Sequence, residues 1–176
     1  MHFLLTISLI CRIICIVMMN KEITMIGLEV TGGVEKDREL AEEIVWWCMD
    51  MLMPRHRVLD ITVELTETYE QGATGFCYQG DDDRDFFIDI DHRLSRAVGR
   101  EEFIECVMHE MVHVWQGATG RMKDRFVGGY KKFWKCKDGK YRNYSNTTYE
   151  KQPWEVEAYK MQGPLTKTFM KEYGYV

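Results

Sequence analysis

Two histidines four positions apart, with a glutamate directly after the first, are the residues of this chain best suited to chemistry. They are His109, Glu110 and His113, within the segment HEMVHVWQ. Residues at i and i+4 lie on one face of an α-helix, so both imidazoles can reach a single metal ion. Zinc accepts neutral imidazole nitrogen, and a catalytic zinc site keeps one position open for water. A glutamate beside such a pair can accept a proton from that water.

A catalytic zinc needs a third protein ligand. No histidine follows His113 in the chain. This excludes the HExxHxxGxxH pattern, in which a later histidine completes the site. The remaining candidates are two upstream histidines and two downstream carboxylates, namely His56, His92, Glu155 and Glu157. The glutamates lie on the next predicted helix, where the small residue Ala158 would allow a close approach to the histidine pair.

The histidine pair lies within the strongest helical pattern of the chain, residues 100–117. Glu101 and Glu102 come in its first turn, where the positive end of the helix dipole favours acidic side chains. Apolar residues recur along one side of this helix: Phe103, Val107, Met111 and Val114. Two unrelated surface histidines would not explain why two of only five histidines fall here with a glutamate beside them. The pattern therefore favours a metal site.

Other segments predict the elements that position this helix. Alternating apolar residues predict four strands, at 23–30, 58–65, 73–80 and 85–91. Helical spacing and proline positions predict two more helices, at 35–54 and 151–162. Asp138 and Gly139 between alternating residues indicate a two-residue hairpin. This order predicts an α+β domain with a small, mainly antiparallel sheet and helices packed on one face.

Length and composition suit one globular domain. The chain has 176 residues, of which 45% are hydrophobic and 29% charged, with a net charge of −5. This balance argues against a protein that coats nucleic acid generally. The six cysteines form no CxxC pair, and Cys48 and Cys106 fall on apolar faces of predicted helices. These features predict buried free thiols in a reducing compartment, and hence a cytoplasmic protein.

Residues 1–19 form an apolar N-terminal extension that looks unlike the rest of the chain. The extension is short for a membrane span and carries Arg12, and it lacks the early basic residue and the cleavage site of a signal peptide. Three interpretations stay open: an upstream start codon before the true start, a packed strand or helix, or a membrane anchor. We expect deletion of residues 1–17 to leave folding and zinc binding intact.

The segments HEMVHVWQ and PWEVEA resemble the SprT-like or Spartan group of small gluzincin metallopeptidases, in particular the short forms encoded by bacteriophages. The resemblance covers roughly residues 20 to 170, and we therefore assign residues 20–176 to a metallopeptidase domain. It implies a zincin-like fold and, for a phage protein, the host cytoplasm. It also implies that His109 and His113 are zinc ligands, that Glu110 is the general base and that Glu155 is the third ligand.

These residues predict a zinc endopeptidase with Zn²⁺ as its cofactor and a protein or peptide as its substrate. Glu110 would take a proton from water and deliver it to the leaving amine. A second group usually stabilises the oxyanion, and five tyrosines are candidates: Tyr130, Tyr141, Tyr144, Tyr149 and Tyr159. The predicted strand 85–91 could pair with an extended substrate along its edge, and it could also be an ordinary core strand; the two roles are compatible. We expect a monomer without membrane association.

The segment 121–151 carries ten basic and three acidic residues, a net charge of +7, interleaved with aromatic residues. Such a composition suits contact with single-stranded nucleic acid, and it equally suits a hairpin beside a cleft. The candidate contacts are Trp134, Lys135 and Lys137, with Trp134 as the stacking residue. The alternative function is therefore a binding module for nucleic acid or a protein partner, with structural zinc. The four-cysteine zinc ribbon of longer relatives is missing, since Cys136 stands alone.

Overall fold

The computed structural model describes residues 25–56, 58–68, 73–126 and 130–175. The elements in these ranges are β1 (Met25–Gly32), α1 (Glu35–Leu52), β2 (Val58–Thr66), β3 (Gly75–Gln79), β4 (Asp85–Asp91), α2 (Leu94–Ala97), α3 (Arg100–Ala118), β5 (Met122–Phe126), β6 (Tyr130–Lys135), β7 (Tyr141–Asn143) and α4 (Pro153–Tyr173). The extension 1–19 lies outside the described residues. Among the described helices, none is long and apolar enough to cross a membrane.

The central sheet has four strands in the order β1-β2-β4-β3. β1, β2 and β4 run parallel, and only β3 is antiparallel, pairing with β4. The prediction of a mainly antiparallel sheet is therefore wrong for this sheet, because α1 connects β1 to β2 as a crossover and such connections produce parallel pairs. A second, three-stranded sheet of β5, β6 and β7 is antiparallel throughout.

One face of the central sheet is buried and the other faces solvent. Along β2, Leu59, Ile61, Val63 and Leu65 are buried, whereas Asp60 and Glu64 between them are exposed. Helices α1 and α3 contribute the other half of this core, with Ile44 and Val107 fully buried. The predicted α+β class with helices on one face is confirmed, because alternation along the strands leaves a single apolar side to cover.

Helix α4 packs along α3 and extends beyond its predicted end at residue 162. It continues through Pro164 to Tyr173 and ends at Gly174, whose φ of +71° suits the left-handed conformation that closes many helices. Near its C-terminal end, Phe169 meets Trp47 of α1 with ring centroids 5.7 Å apart. At its N-terminal end, Ala158 is fully buried. The small side chain that the sequence offers is therefore used for helix packing.

Candidate metal centre

Helix α3 places both histidines of HEMVHVWQ on its buried side. His109 and His113 are 7% and 6% exposed, and their Nε2 atoms lie 3.1 Å apart. The rings meet edge to face, with centroids 4.8 Å apart. The i, i+4 spacing therefore does what the sequence predicts and brings two nitrogen ligands to one point.

Helix α4 brings Glu155 to the histidine pair. Its Oε2 atom lies 3.2 Å from His109 Nε2 and 3.5 Å from His113 Nε2. His109, His113 and Glu155 are the group of described residues whose arrangement could hold a metal ion. Glu157 instead contacts Arg121 and Gln116. Of the third-ligand candidates, Glu155 is the one that the fold delivers to the histidines.

The three ligand atoms form a triangle with sides of 3.1, 3.2 and 3.5 Å. Two ligands bound tetrahedrally at roughly 2.0–2.1 Å from one ion are separated by about 3.3 Å. The triangle therefore already has the size that a tetrahedral site requires. The donor set of two imidazoles and one carboxylate leaves the fourth position open for water or substrate.

Amide oxygens fix which ring nitrogens face this triangle. The Nδ1–H of His109 donates to Gln162 Oε1 at 2.6 Å, and the Nδ1–H of His113 donates to Gln116 Oε1 at 2.8 Å. The amide nitrogens of both glutamines donate elsewhere, to Glu105 and to the Trp154 carbonyl, so each oxygen is the acceptor. Both Nε2 lone pairs are then directed at the carboxylate oxygen of Glu155, an arrangement that a cation stabilises.

In the metal-free protein, protonation of His109 would supply that positive charge. Burial opposes protonation of His109 and is the largest single effect, but the hydrogen bonds to Glu155 and Gln162 and the charges of Glu110 and Glu155 together outweigh it and raise the pKa of His109 above its ordinary value. Burial also opposes ionisation of Glu155. Hydrogen bonds with His109, His113 and Tyr149 and the charge of His113 together outweigh burial, and they hold the pKa of Glu155 well below its ordinary range. A metal ion and this proton would therefore compete for the same place.

Glu110 is buried next to the three ligands. It is 5% exposed, and burial raises the pKa of its carboxyl group despite the opposing effect of His113 and His109. The opposing edge of the sheet lies very close, since a Cβ atom at Gly75 would be only 2.8 Å from Glu110 Oε1. Because glycine at position 75 has no side chain, the Glu110 carboxylate can lie directly against the backbone of β3.

A cleft crosses the centre in two adjoining cavities of about 660 and 390 Å³. Both cavities are lined by Ala73, Gly75, Phe76, Glu110 and Tyr149. The larger includes His109, and the smaller includes His113 and Glu155. The strand along the cleft is β3, the edge of the sheet, whereas β4 lies between β2 and β3. The predicted pairing of a substrate with segment 85–91 is therefore wrong, because both edges of that strand are occupied.

The structure distinguishes among the five candidate tyrosines. Tyr149 and Tyr159 line the larger cavity, and Tyr149 is hydrogen-bonded to Glu155, which together with burial raises the pKa of the Tyr149 phenol. Tyr159 contacts the His109 ring edge-on, with centroids 4.8 Å apart. Tyr141 donates to the carbonyl of Gly120, and Tyr144 contacts Trp154. The side chain of Tyr130 is not among those described.

The basic segment forms β5, β6 and β7 together with the turn predicted around Gly139. The turn is longer than predicted, since Lys135 pairs with Tyr141. Trp134 is only 9% exposed and packs with Met122 and Trp154. The stacking role predicted for Trp134 is therefore wrong, because its ring lies in a small core. Lys135 and Lys137 are exposed.

Sequence reasoning missed Gln116, Gln162 and Gly75. A usable signal was present for both glutamines, because Gln116 follows His113 by three residues and Gln162 follows Glu155 by seven, so each shares a helix face with a ligand. The chain matches no family model, no curated protein and no solved structure. Its function therefore has to be inferred from its own residues.

Proposed function

We propose that the protein is a zinc-dependent endopeptidase with a zincin-type fold, related to the SprT-like group. One observation carries the proposal: a buried glutamate, Glu110, lines the same cleft as a triangle of two imidazoles and one carboxylate. Two histidines and a glutamate are a ligand set used by catalytic zinc. A purely structural metal site would have no use for a carboxylate held beside it at the cost of burial.

His109, His113 and Glu155 would hold the ion. When bound, zinc supplies Lewis acidity, which polarises a carbonyl group and makes water more acidic. Glu110 then acts on that water. Its carboxylate accepts the proton, keeps it in a site with little competing solvent, and hands it to the nitrogen of the departing amine. The raised pKa of Glu110 suits this role, because a carboxylate of ordinary pKa would be a weaker proton acceptor.

The exposed edge of β3 favours a peptide substrate over a small-molecule substrate. Its outer side has no partner strand among the described residues, and Gly75 and Phe76 line both cavities. An extended peptide can add to such an edge through main-chain hydrogen bonds, which do not depend on its side chains. The bond to be cleaved would then cross above Glu110.

Tyr149 and Tyr159 supply phenol hydroxyl groups to the larger cavity. Tyr149 borders both cavities and is hydrogen-bonded to Glu155. A hydroxyl in this place can turn from the carboxylate to the oxygen of a bound substrate, where negative charge develops during attack. Tyr141 and Tyr144 have other partners and are not needed for this role.

The direct test is hydrolysis of an unfolded protein by wild type and by Glu110→Gln, with zinc content measured in both. The substitution keeps the shape of the side chain and removes its ability to accept a proton. We expect Glu110→Gln to retain one zinc per chain and to lose about a hundredfold to ten-thousandfold in rate. Glu101→Gln, on the exposed first turn of the same helix, is the matched control. Equal rates for wild type and Glu110→Gln would exclude this mechanism.

A further inference from the structure

Each histidine of the metal centre has one glutamine as its hydrogen-bond partner. Gln116 lies one turn beyond His113 on α3 and is fully buried. Gln162 comes from α4, two turns beyond Glu155, and accepts from His109 at 2.6 Å. Helix α4 therefore carries both a ligand and the group that orients another ligand.

Both glutamines are themselves held in one orientation. Gln162 Nε2–H donates to Glu105 Oε1 at 2.9 Å. Gln116 Nε2–H donates to the Trp154 carbonyl at 3.0 Å and to Glu157 Oε2 at 3.2 Å. Because the amide nitrogens are committed to these acceptors, neither amide can flip and present a donor to its histidine. Each ring nitrogen Nδ1 therefore keeps its proton, and each Nε2 keeps its lone pair toward the ion.

The same contacts explain the place of Glu157. This residue accepts from Gln116 and is paired with Arg121, and the Arg121 guanidinium lies 4.9 Å from the Trp115 ring and 5.2 Å from the Trp134 ring. Residues on α3, on α4 and in the loop before β5 are thus joined behind His113. Glu157 is linked to His113 by two consecutive hydrogen bonds, with Gln116 between them.

We propose that Gln162 and Gln116 are positioning residues that set the affinity of the centre for zinc, an inference that rests on the proposed function. Partners of metal-bound histidines fix the tautomer and the ring orientation, and their loss typically costs about 10–100-fold in metal affinity. The glutamines do this without charge. The carboxylates of Glu105 and Glu157 accept from the glutamines and do not contact the rings at Nδ1. They can therefore tune how strongly each amide oxygen accepts from Nδ1–H without contacting the histidine at that nitrogen.

The test measures zinc affinity of the full chain by competition with a chromogenic chelator at neutral pH. Gln162→Met keeps the length of the side chain and removes the acceptor, and we expect a loss of about 10–100-fold. Gln79→Met is the matched control, since Gln79 lies at the end of β3 and donates to the Asp83 carbonyl in the turn that follows. The melting temperature of the metal-free proteins is compared in parallel, because Gln162→Met should change affinity with little change in folding.

A double variant provides the rescue. Glu105→Gln/Gln162→Glu exchanges the amide and the carboxylate. The amide introduced at position 105 can then donate to the carboxylate introduced at position 162, which can still accept from His109 Nδ1–H. We expect zinc binding at least as tight as in wild type, because a charged acceptor now faces Nδ1. Binding as weak as that of Gln162→Met would overturn the positioning role.

The outcomes separate the two proposals. If wild type binds no zinc, the proposed function fails. If wild type binds one zinc and Gln162→Met binds it equally well, the positioning role fails and the proposed function stands. For Gln116, which is completely buried, Gln116→Met is informative only when its metal-free melting temperature matches wild type. Should it fail to fold, the Gln162 pair of variants still decides the proposal.

Discussion

His109 Nε2 and Glu155 Oε2 lie 3.2 Å apart, although 46 residues separate them along the chain. One belongs to the helix that carries the histidine pair and the other to the helix that ends the described fold. This short distance shows that the packing of α4 on α3 assembles the candidate metal centre.

The first expectation concerns the third ligand. Glu155→Ala should lose the zinc that wild type holds at one ion per chain, because two imidazoles alone bind zinc weakly. Glu157→Ala should keep the ion with at most a modest loss of affinity, since Glu157 contacts Gln116 and Arg121 instead. Elemental analysis after dialysis distinguishes the variants. Loss of zinc from Glu157→Ala alone would move the ligand by two positions.

The second expectation concerns pH. The raised pKa of His109 stabilises the metal-free fold fully below the ordinary value of 6.5, and this contribution is lost as the pH rises through the higher folded pKa. The lowered pKa of Glu155 stabilises it above the ordinary value of 4.5, and that contribution is lost only in stronger acid. The metal-free protein should therefore gain most from this pair between pH 4.5 and 6.5.

Above pH 6.5 the contribution of His109 to the stability of the metal-free protein falls, whereas the contribution of bound zinc should rise. The ion binds neutral imidazole and must displace the proton on His109, so the stabilisation by zinc should grow as the pH rises above 6.5. Hydrolysis should fall below about pH 6 for the same reason, and because Glu110, whose pKa is raised by burial, loses its ability to accept a proton. Melting curves with and without zinc across this range provide the check. Full activity at about pH 5 would contradict the mechanism.

The third expectation concerns Gly75. A methyl group at this position would lie 2.8 Å from Glu110 Oε1 and 2.9 Å from Cys106 Sγ, so one of these side chains must move. Gly75→Ala should reduce the rate of hydrolysis by roughly tenfold or more, because a general base depends on its position, while zinc binding persists. Gly163→Ala is the control, since its nearest contact would be an ordinary 3.7 Å. An unchanged rate in Gly75→Ala would show that the added methyl group does not displace the Glu110 carboxylate from its catalytic position.

The fourth expectation concerns Tyr149. Tyr149→Phe should lower kcat on the order of a hundredfold, the usual effect of removing a donor that stabilises an oxyanion. KM and zinc content should change much less, because the ring remains and no ligand is lost. Tyr141→Phe, which removes a hydroxyl bonded to Gly120, should leave kcat unchanged. A loss confined to KM would assign Tyr149 to substrate binding alone.

The fifth expectation concerns the small core of the second sheet. Trp134→Ala should lower the free energy of unfolding by about 3 kcal/mol, as truncation of a buried tryptophan does, whereas Lys135→Gln should be neutral because the side chain is exposed. Urea unfolding measures both.

If the protein binds an oligonucleotide at low salt, Lys135→Gln and Lys137→Gln should weaken that binding and lessen its dependence on salt.

The histidine pair could be predicted because its information is local. Four positions along one helix determine how His109 and His113 face each other, and that relation holds wherever the helix packs. The strand order could not be predicted in the same way. Residues 85–91 were recognised as a strand, yet only the non-local pairing with β2 and β3 places them inside the sheet.

The third ligand shows the same limit on a smaller scale. Glu155 and Glu157 are two residues apart on α4, so their side chains point about 200° apart around the helix. Helical spacing alone cannot say which of them faces α3. The answer depends on Ala158, which is buried in the packing between the helices, and on Arg121, which pairs with Glu157. Arg121, and the surface of α3 against which Ala158 packs, lie outside the helix that carries the two glutamates.

The delivery of Glu155 by α4 has a consequence for the order of synthesis. During translation the histidine pair on α3 leaves the ribosome well before α4, and β5, β6 and β7 are made in between. A nascent chain that ends between residues 113 and 155 has two imidazoles and Glu110 but no third ligand. If the protein is a peptidase, the growing chain therefore stays inert beside its unfolded neighbours until its own C-terminal helix has been made and has docked.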